Sequence, residues 1–261
     1  MKWITCLNED TPLFNTYRDL LKVAVVSCLE NTQFQPIFIY DGKDNELTYW
    51  LEKKGVDIIH HKSSFTKAFL NYCHKEPDSL QNQIAHGAFL RVDIPSIAKK
   101  NNWQDEFVFY TDCDVMFLGK WPNRFWNNQC KFFAVAPEVD INNFDDFNTG
   151  SMIMNLEGLS KVEKNFNKYI IDNIDLFFNS AWDQTAYQKY FKKYYTKLNP
   201  IYNWKTYWGI NSNAKLIHFH GIKPHHRMNI SNGTLKEPFS GLVSKEFYYF
   251  TNIWDSYLKI A

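Results

Sequence analysis

Neither sign of charge dominates this chain. Its 29 basic side chains stand against 28 acidic ones for a net charge of +1, so it has no general basic field of the kind that holds nucleic acid nonspecifically. Nucleic acid is therefore not an expected partner. Cysteine is sparse as well: five residues (Cys6, Cys28, Cys73, Cys113 and Cys130), an odd number without Cys-x-x-Cys spacing, argue against both a disulfide framework and a thiolate zinc site. Reduced, buried thiols are expected instead. The longest apolar run, Leu20 to Leu29, is interrupted by Lys22 and Ser27 and falls far short of the roughly 20 residues that span a bilayer. The first residues turn acidic at Glu9 and Asp10, unlike a secretion signal with its apolar region and cleavage site, so a cytoplasmic protein is expected. No internal repeat, low-complexity tract or linker divides the 261 residues.

What the chain has in abundance is aromatic side chains, 18% of the total, with 22 Phe, 15 Tyr and 9 Trp. They suffice to fill a core and still leave platforms for ring-shaped ligands. With 45% hydrophobic and 22% charged residues, the composition is that of a globular protein rather than a disordered one.

Strand and helix signals alternate from the start. Lys2 to Leu7 reads as a strand, and Thr11-Pro12 as the start of a helix carrying Leu20, Leu21, Val23 and Ala24. Pro36 to Tyr40 reads as a second strand, a helix from Asp44 ends at Gly55, and Val56 to His60 is a third strand. This βαβαβ order predicts a mostly parallel sheet with helices on its faces, because parallel neighbours need a crossover. Further on, a helical stretch from Ile84 to Lys100 should be divided at Pro95. A buried-type strand, Phe107 to Thr111, then runs into Asp112-Cys113-Asp114. Phe132 to Ala136, Ser151 to Leu156 and Leu216 to His220 are strand-like, and the segment Asp140 to Asn148 reads as a loop rich in Asn and Asp. Ser160 and Glu163 have the spacing of a capping box that would open a helix. Another helix is expected near Asp183.

In open α/β sheets, ligands bind outside the carboxyl ends of strands, which gives the position of Asp112 and Asp114 its weight. Two carboxylates one residue apart can both bind a hard divalent cation such as Mg2+ or Mn2+. Four of the eight histidines (His218, His220, His225 and His226) fall within nine positions, next to Gly221, Lys223 and Pro224. Imidazole with two carboxylates makes a mixed nitrogen and oxygen site suited to Mn2+, and a nearby lysine could neutralise phosphate oxygens on the same metal.

The order of these pieces resembles glycosyltransferase family 8. It is carried by strand-Asp112-x-Asp114, then Phe147-Asn148-Thr149-Gly150 with Asn155, then Asp183-Gln184, then His218-Phe219-x-Gly221 with Lys223-Pro224, across roughly residues 2 to 224. Ile84 and Arg91 match the family's segment that contacts the uridine and the donor sugar and diphosphate. The chain departs from the pattern in having only Ile222 between Gly221 and Lys223, His225 after Pro224, and Thr185 after Asp183-Gln184.

The resemblance implies an α/β protein of GT-A type, with a Rossmann-like, mostly parallel mixed sheet, flanking helices and the Asp-x-Asp at a strand end. It implies one domain over 1–261: a nucleotide-binding half (1–115), a donor-sugar and acceptor half (116–224) and a C-terminal extension (225–261). The implied reaction moves a hexosyl unit from a UDP-sugar to a hydroxyl of a glycan or glycolipid with the anomeric configuration retained, using Mn2+ or Mg2+ held by Asp112, Asp114 and His218. Thr5, Cys6, Leu7, Asn8, Ile84, Arg91, Cys113, Asn148, Gly150, Asp183, Gln184, Gly221 and Lys223 complete the implied nucleotide-sugar site, with Gln184, Asp183 and Arg91 at the reacting sugar. Asn8, Glu9 and Asp10 compete for the contact to the base.

Trp204, Tyr207 and Trp208 are candidates for the acceptor, since aromatic rings pack against apolar sugar faces. The aromatic stretch Phe247 to Tyr257, near Lys223, His225, His226 and Arg227, suggests peripheral contact with an anionic membrane bearing a lipid-linked acceptor. Two alternatives stay open. A sugar nucleotidyltransferase would favour a glycine-rich phosphate loop, which the first strand does not carry. A non-catalytic carbohydrate-binding domain would use the aromatics alone.

Overall fold

The computed structural model describes residues 1–11, 13–73, 87–123, 125–126 and 129–261. The chain alternates between two compact units: Met1–Phe14, Gln35–Asp112 and Asn128–Leu198 make the first, and Asn15–Phe34, Cys113–Asn127 and Asn199–Ala261 the second. Its strands are β1 (Lys2–Asn8), β2 (Gln35–Asp41), β3 (Asp57–His60), β4 (Phe107–Thr111), β5 (Val115–Phe117), β6 (Phe133–Pro137), β7 (Phe147–Asn155), β8 (Thr196–Lys197), β9 (Trp204–Lys205) and β10 (Leu216–His218).

The first unit is built on a seven-stranded sheet in the order β3-β2-β1-β4-β7-β6-β8. The predicted βαβαβ run is its parallel half: β1 pairs in parallel with both β2 and β4, and β2 with β3. Only β7 runs against its neighbours, antiparallel to β4 and β6. The sheet is therefore mixed and mostly parallel. The Trp3 indole donates to Thr111 Oγ1 at 2.9 Å, tying the start of β1 to the end of β4.

Local chemistry explains where the helices begin. Helix α1 spans Phe14–Asn31, and α2 (Glu46–Lys53) is opened by Asn45, whose side chain accepts from Leu47 N at 2.9 Å while Thr48 Oγ1 accepts from Asn45 N at 2.8 Å. Helix α3 is Thr66–Cys73. The stretch expected from Ile84 to Lys100 is divided as Pro95 predicts: Phe89–Asp93 forms a 3-10 turn and α4 (Ile94–Lys100) starts with Pro95 in its first turn. There the missing N–H would have had no helical partner. Ile84 itself, like Pro12, lies outside the described residues.

Helix α5 (Leu156–Asp172) corrects the capping expectation. Its N-cap is Asn155, which accepts from Gly158 N at 2.8 Å, and Ser160 lies exposed inside the helix. Gly158 is required there, since a Cβ on it would lie 1.8 Å from the Lys131 carbonyl oxygen. Two short helices follow, α6 (Ile174–Phe178) and α7 (Trp182–Phe191). Phe133 of β6, Phe166 of α5 and Phe191 of α7 meet at ring-centroid distances of 5.0 Å, and Tyr187 lies 5.3 Å from Phe133. Each such ring, fully buried, contributes roughly 1.5–3 kcal/mol. They pack α7, and with it Asp183 and Gln184, against the sheet.

The second unit contains a three-stranded sheet in the order β5-β10-β9, in which β10 is antiparallel to β5 and parallel to β9. The last strand ends at His218 rather than His220 because the chain turns there, with Ile222 N donating to His220 O at 2.9 Å and Gly221 at φ +72°. A Cβ at Gly221 would also meet Leu242 Cδ1 at 2.7 Å. Helix α8 is Arg227–Ser231, and α9 (Lys245–Leu258) buries Phe247, Phe250 and Trp254 while Tyr248 and Tyr249 stay exposed. Asn31 on α1 donates to the Phe117 carbonyl at 3.3 Å and to Tyr257 Oη at 2.8 Å, linking α1, β5 and α9. No helix of the described residues is long and apolar enough to cross a membrane.

Candidate active site

Two buried polar clusters face the chemistry question, one in each unit, and the chain joins them through the single residue Cys113.

The first cluster centres on Arg91, which the 3-10 turn presents toward the ends of β4 and β7. Arg91 is 4% exposed. Its Nη2 donates to Asp112 Oδ1 at 2.8 Å, its Nη1 to the Thr149 carbonyl at 2.5 Å, and its Nε stands 3.0 Å from Asp183 Oδ2. Its guanidinium also lies 4.5 Å from the centre of the Tyr110 ring, whose hydroxyl donates to Asp112 Oδ1 at 2.8 Å. Burial would lower the pKa of Arg91, but Asp112 and then Asp183 hold it above its ordinary value. Asp183 is the opposite case. Burial pushes its carboxyl up to about 7, because the Arg91 charge that opposes this is shared with Asp112.

Asp183 does not cap its helix. Ala181 is the N-cap residue, and Trp182 adopts φ +45° just before Asp183. A bulky residue in the left-handed region costs on the order of 1–3 kcal/mol, a strain that recurs at functional sites. The turn sends both Asp183 and Gln184 inward. Gln184 Oε1 accepts from Thr149 N at 3.1 Å and from Asn148 Nδ2 at 3.0 Å, while Gln184 Nε2 donates to Glu138 Oε2 at 2.6 Å. Asn148 Oδ1 accepts from Gly150 N at 3.1 Å. These bonds explain why β7 begins at Phe147 rather than at Ser151: the polar Asn148-Thr149-Gly150 stretch is satisfied inside the sheet.

The second cluster lies on β10 and the turn after β5. Asp114 Oδ2 is paired with the Lys223 ammonium, which also donates to the Phe219 carbonyl at 2.9 Å. Burial alone would raise the pKa of Asp114, but Lys223 and His218 outweigh it and hold the carboxyl far below its ordinary value. His218 Nδ1 is 2.9 Å from Asn203 Oδ1, and its Nε2 is 3.3 Å from Asp114 Oδ1. Burial lowers the pKa of His218 against the pull of Asp114, so the ring is neutral at pH 7. An amide oxygen can only accept, so Nδ1 carries the proton and Nε2 keeps its lone pair. That lone pair faces Asp114 Oδ1, a buried oxygen with no hydrogen bond among the described residues. Two lone pairs at this distance suit a cation.

Asp112 stands two positions before Asp114, so the Asp-x-Asp supplies a carboxylate on either side of Cys113. Two hard oxygens and an imidazole nitrogen could hold a divalent metal ion.

The other expected site residues are placed as follows. Thr5, Cys6, Leu7 and Asn8 are buried along β1, Thr5 Oγ1 without a partner among the described residues, whereas Glu9 and Asp10 are exposed beyond its end. Cys113 is buried. Trp204, Tyr207 and Trp208 form an edge-to-face cluster, with the Trp204 indole donating to the Gly209 carbonyl at 2.8 Å and Tyr207 Oη 2.9 Å from His220 Nδ1. Lys223, expected at phosphate, is paired with Asp114. Glu138, Tyr110 and Asn203 carry hydrogen bonds to site residues that the motif series does not contain. Asn203 stands directly before Trp204 in the aromatic segment, but nothing local marks Glu138.

No family model matches the chain, and no curated protein matches it. Solved structures do. The glycosyltransferase GlyE of Streptococcus pneumoniae TIGR4 superposes with a TM-score of 0.64 at 14% identity, covering 99% of this chain and 63% of that one. The chain thus spans under two thirds of the length of GlyE. The galactosyltransferase LgtC, solved with donor and acceptor sugar analogues, gives 0.63 at 18% identity over 95% of this chain and 99% of its own. Mouse xyloside xylosyltransferase 1 gives 0.57 at 13% identity over 84% of this chain and 97% of its own. The fold is the GT-A fold of glycosyltransferases. In it, the Asp-x-Asp follows directly on the central strand β4, in agreement with the fold expected from the motif order, and the likeness to LgtC is consistent with the resemblance to family 8.

Proposed function

We propose that the chain is a metal-dependent retaining glycosyltransferase that moves a hexosyl unit from a UDP-sugar to a hydroxyl of a glycan or glycolipid. The observation that carries this reading is the buried Asp114 oxygen without a hydrogen bond among the described residues, facing the His218 lone pair from an Asp-x-Asp in a GT-A fold. Mn2+ or Mg2+ bound there would supply Lewis-acid stabilisation of a diphosphate leaving group.

The remaining roles belong to the protein. Arg91 neutralises the carboxylates of Asp112 and Asp183 and fixes both. Asp183, held close to neutrality, binds sugar hydroxyls as donor or acceptor according to its protonation. Gln184 lies at the anomeric centre. An LgtC structure of an active-site mutant, with glutamine replaced by glutamate, supports giving the amide this place. Asn148 and Gly150 line the donor-sugar side, Thr5 to Asn8 the nucleotide side, and Gly221 lets the backbone turn toward the diphosphate. Lys223 holds Asp114 ionised until a cation arrives. Trp204, Tyr207 and Trp208 offer rings to the acceptor sugar.

The test is a melting panel of UDP, UDP-glucose, UDP-galactose, UDP-N-acetylglucosamine and ATP, each with Mn2+ or EDTA, on wild type and Asp114→Ala. A ligand at about 100 times its Kd adds about 2.7 kcal/mol, a shift of several degrees. UDP compounds should stabilise only with Mn2+, and Asp114→Ala should lose the shift. Stabilisation by ATP alone would favour a nucleotidyltransferase, and silence from every UDP compound would remove the transferase reading.

A further inference from the structure

Glu138 follows directly on β6, with its backbone N–H donating to the Asp146 carbonyl at 2.8 Å, so the loop between them closes at this residue. One oxygen, Oε2, accepts from both Gln184 Nε2 at 2.6 Å and Asn148 Nδ2 at 3.0 Å. Three segments distant in sequence converge on it: the end of β6, the start of β7 and the start of α7.

The chemistry of these partners fixes which way round the Gln184 amide lies. Thr149 N is a backbone donor, so the atom 3.1 Å from it must be the Gln184 oxygen. A carboxylate only accepts, so the atom facing Glu138 must be the amide nitrogen. Reversing the amide would set a nitrogen against an N–H and an oxygen against a carboxylate, losing both bonds at once. In the orientation that results, both lone pairs of Gln184 Oε1 are used, by Thr149 N and Asn148 Nδ2. One Nε2 hydrogen is used by Glu138, and the other has no partner among the described residues. Gln184 can therefore offer a ligand an N–H, but no oxygen lone pair without breaking a protein bond.

We infer that Glu138 is a positioning residue that holds Gln184 as a hydrogen-bond donor to an oxygen of the bound sugar nucleotide or acceptor. The inference deepens the transferase reading and rests on it for its catalytic consequence. The orientation of the amide stands apart from that reading.

Three variants test it: Glu138→Leu, which removes the acceptor; Glu138→Gln, which keeps a carbonyl oxygen for both donors; and Gln184→Leu, which identifies the Gln184 side-chain signals in a 15N spectrum. The measurements are hydrogen exchange of the Gln184 amide protons and steady-state release of UDP from UDP-glucose and UDP-galactose with Mn2+. In wild type the proton donated to Glu138 should exchange slowly. Glu138→Gln should preserve that protection, and Glu138→Leu should lose it. The kcat of Glu138→Leu should fall about 10- to 100-fold, the worth of one charge-assisted hydrogen bond, with KM for the UDP-sugar within about twofold. Glu138→Gln should recover most of kcat, which a role in packing alone would not explain.

Undiminished protection in Glu138→Leu overturns the orientation. A rise in KM with kcat unchanged, or a Glu138→Gln variant as poor as Glu138→Leu, overturns the positioning role. A wild type that releases no UDP from either sugar overturns the transferase reading and this catalytic consequence together, while the amide protons still decide the orientation.

Discussion

Asp183 makes stability depend on pH in an unusual direction. Most native carboxylates are more acidic than in the unfolded chain, but burial pushes Asp183 from an ordinary 3.8 up to about 7. Between those values the folded chain holds a proton that the unfolded chain has released. The contribution of this residue is thus fully present below about pH 4 and is lost as pH rises through about 7, amounting to roughly 4 kcal/mol. Asp183→Asn keeps a neutral group in place, so the variant should gain stability relative to wild type as pH rises from 5 to 8, as urea melts at the two pH values would record. A constant difference between the two proteins would show that Asp183 stays charged in the fold. At this scale the sequence was informative about the residues whose chemistry announces itself, Asp112, Asp114 and His218. It was silent about Glu138, whose bond to Gln184 spans 46 positions, because no local pattern records so distant a partner. The pairing of Lys223 with Asp114 was likewise unmarked, because the two residues lie on distant segments of the chain.

Among elements, the helix that follows β7 separates two explanations of its start. Asn155 accepts from Gly158 N and donates to the Cys130 carbonyl at 2.8 Å, whereas Ser160 is exposed within the helix. Asn155→Ala should cost about 1–2 kcal/mol, and Ser160→Ala should stay within about 0.5 kcal/mol, both read from denaturant midpoints. Equal effects would restore Ser160 as the cap. The parallel half of the sheet was legible because apolar strands and helices alternate there with clear punctuation at Asp44, Gly55 and Pro95. The antiparallel strand β7 was legible only from Ser151 onward. Its first residues, Asn148 to Gly150, are polar, and what keeps them in a buried strand is the bonding to Gln184 and Glu138 described above. The two-residue strands β8 and β9 are too short to leave any periodicity.

For the whole molecule, neither compact unit is a continuous piece of chain. The second gathers Asn15–Phe34, Cys113–Asn127 and Asn199–Ala261. Cutting after Leu198 would remove β9, β10 and α9, leaving β5 without a partner in its sheet and exposing Val115, Met116 and Phe117, all now buried. The fragment 1–198 should bind the dye ANS and lack a cooperative melting transition, while the full chain does neither. A fragment that melts cooperatively without binding the dye would show that the first unit folds alone.

The place of β10 between β5 and β9 also sets an order of events on the ribosome. β5 emerges early, but its neighbour ends at His218, so at about 5–20 residues per second β5 waits several seconds or more for its partner. Asp114 meets the His218 imidazole only when synthesis is nearly complete. A product ended before β10 therefore keeps Asp112 and Asp114 but lacks His218, and with it the Asp114–His218 pairing.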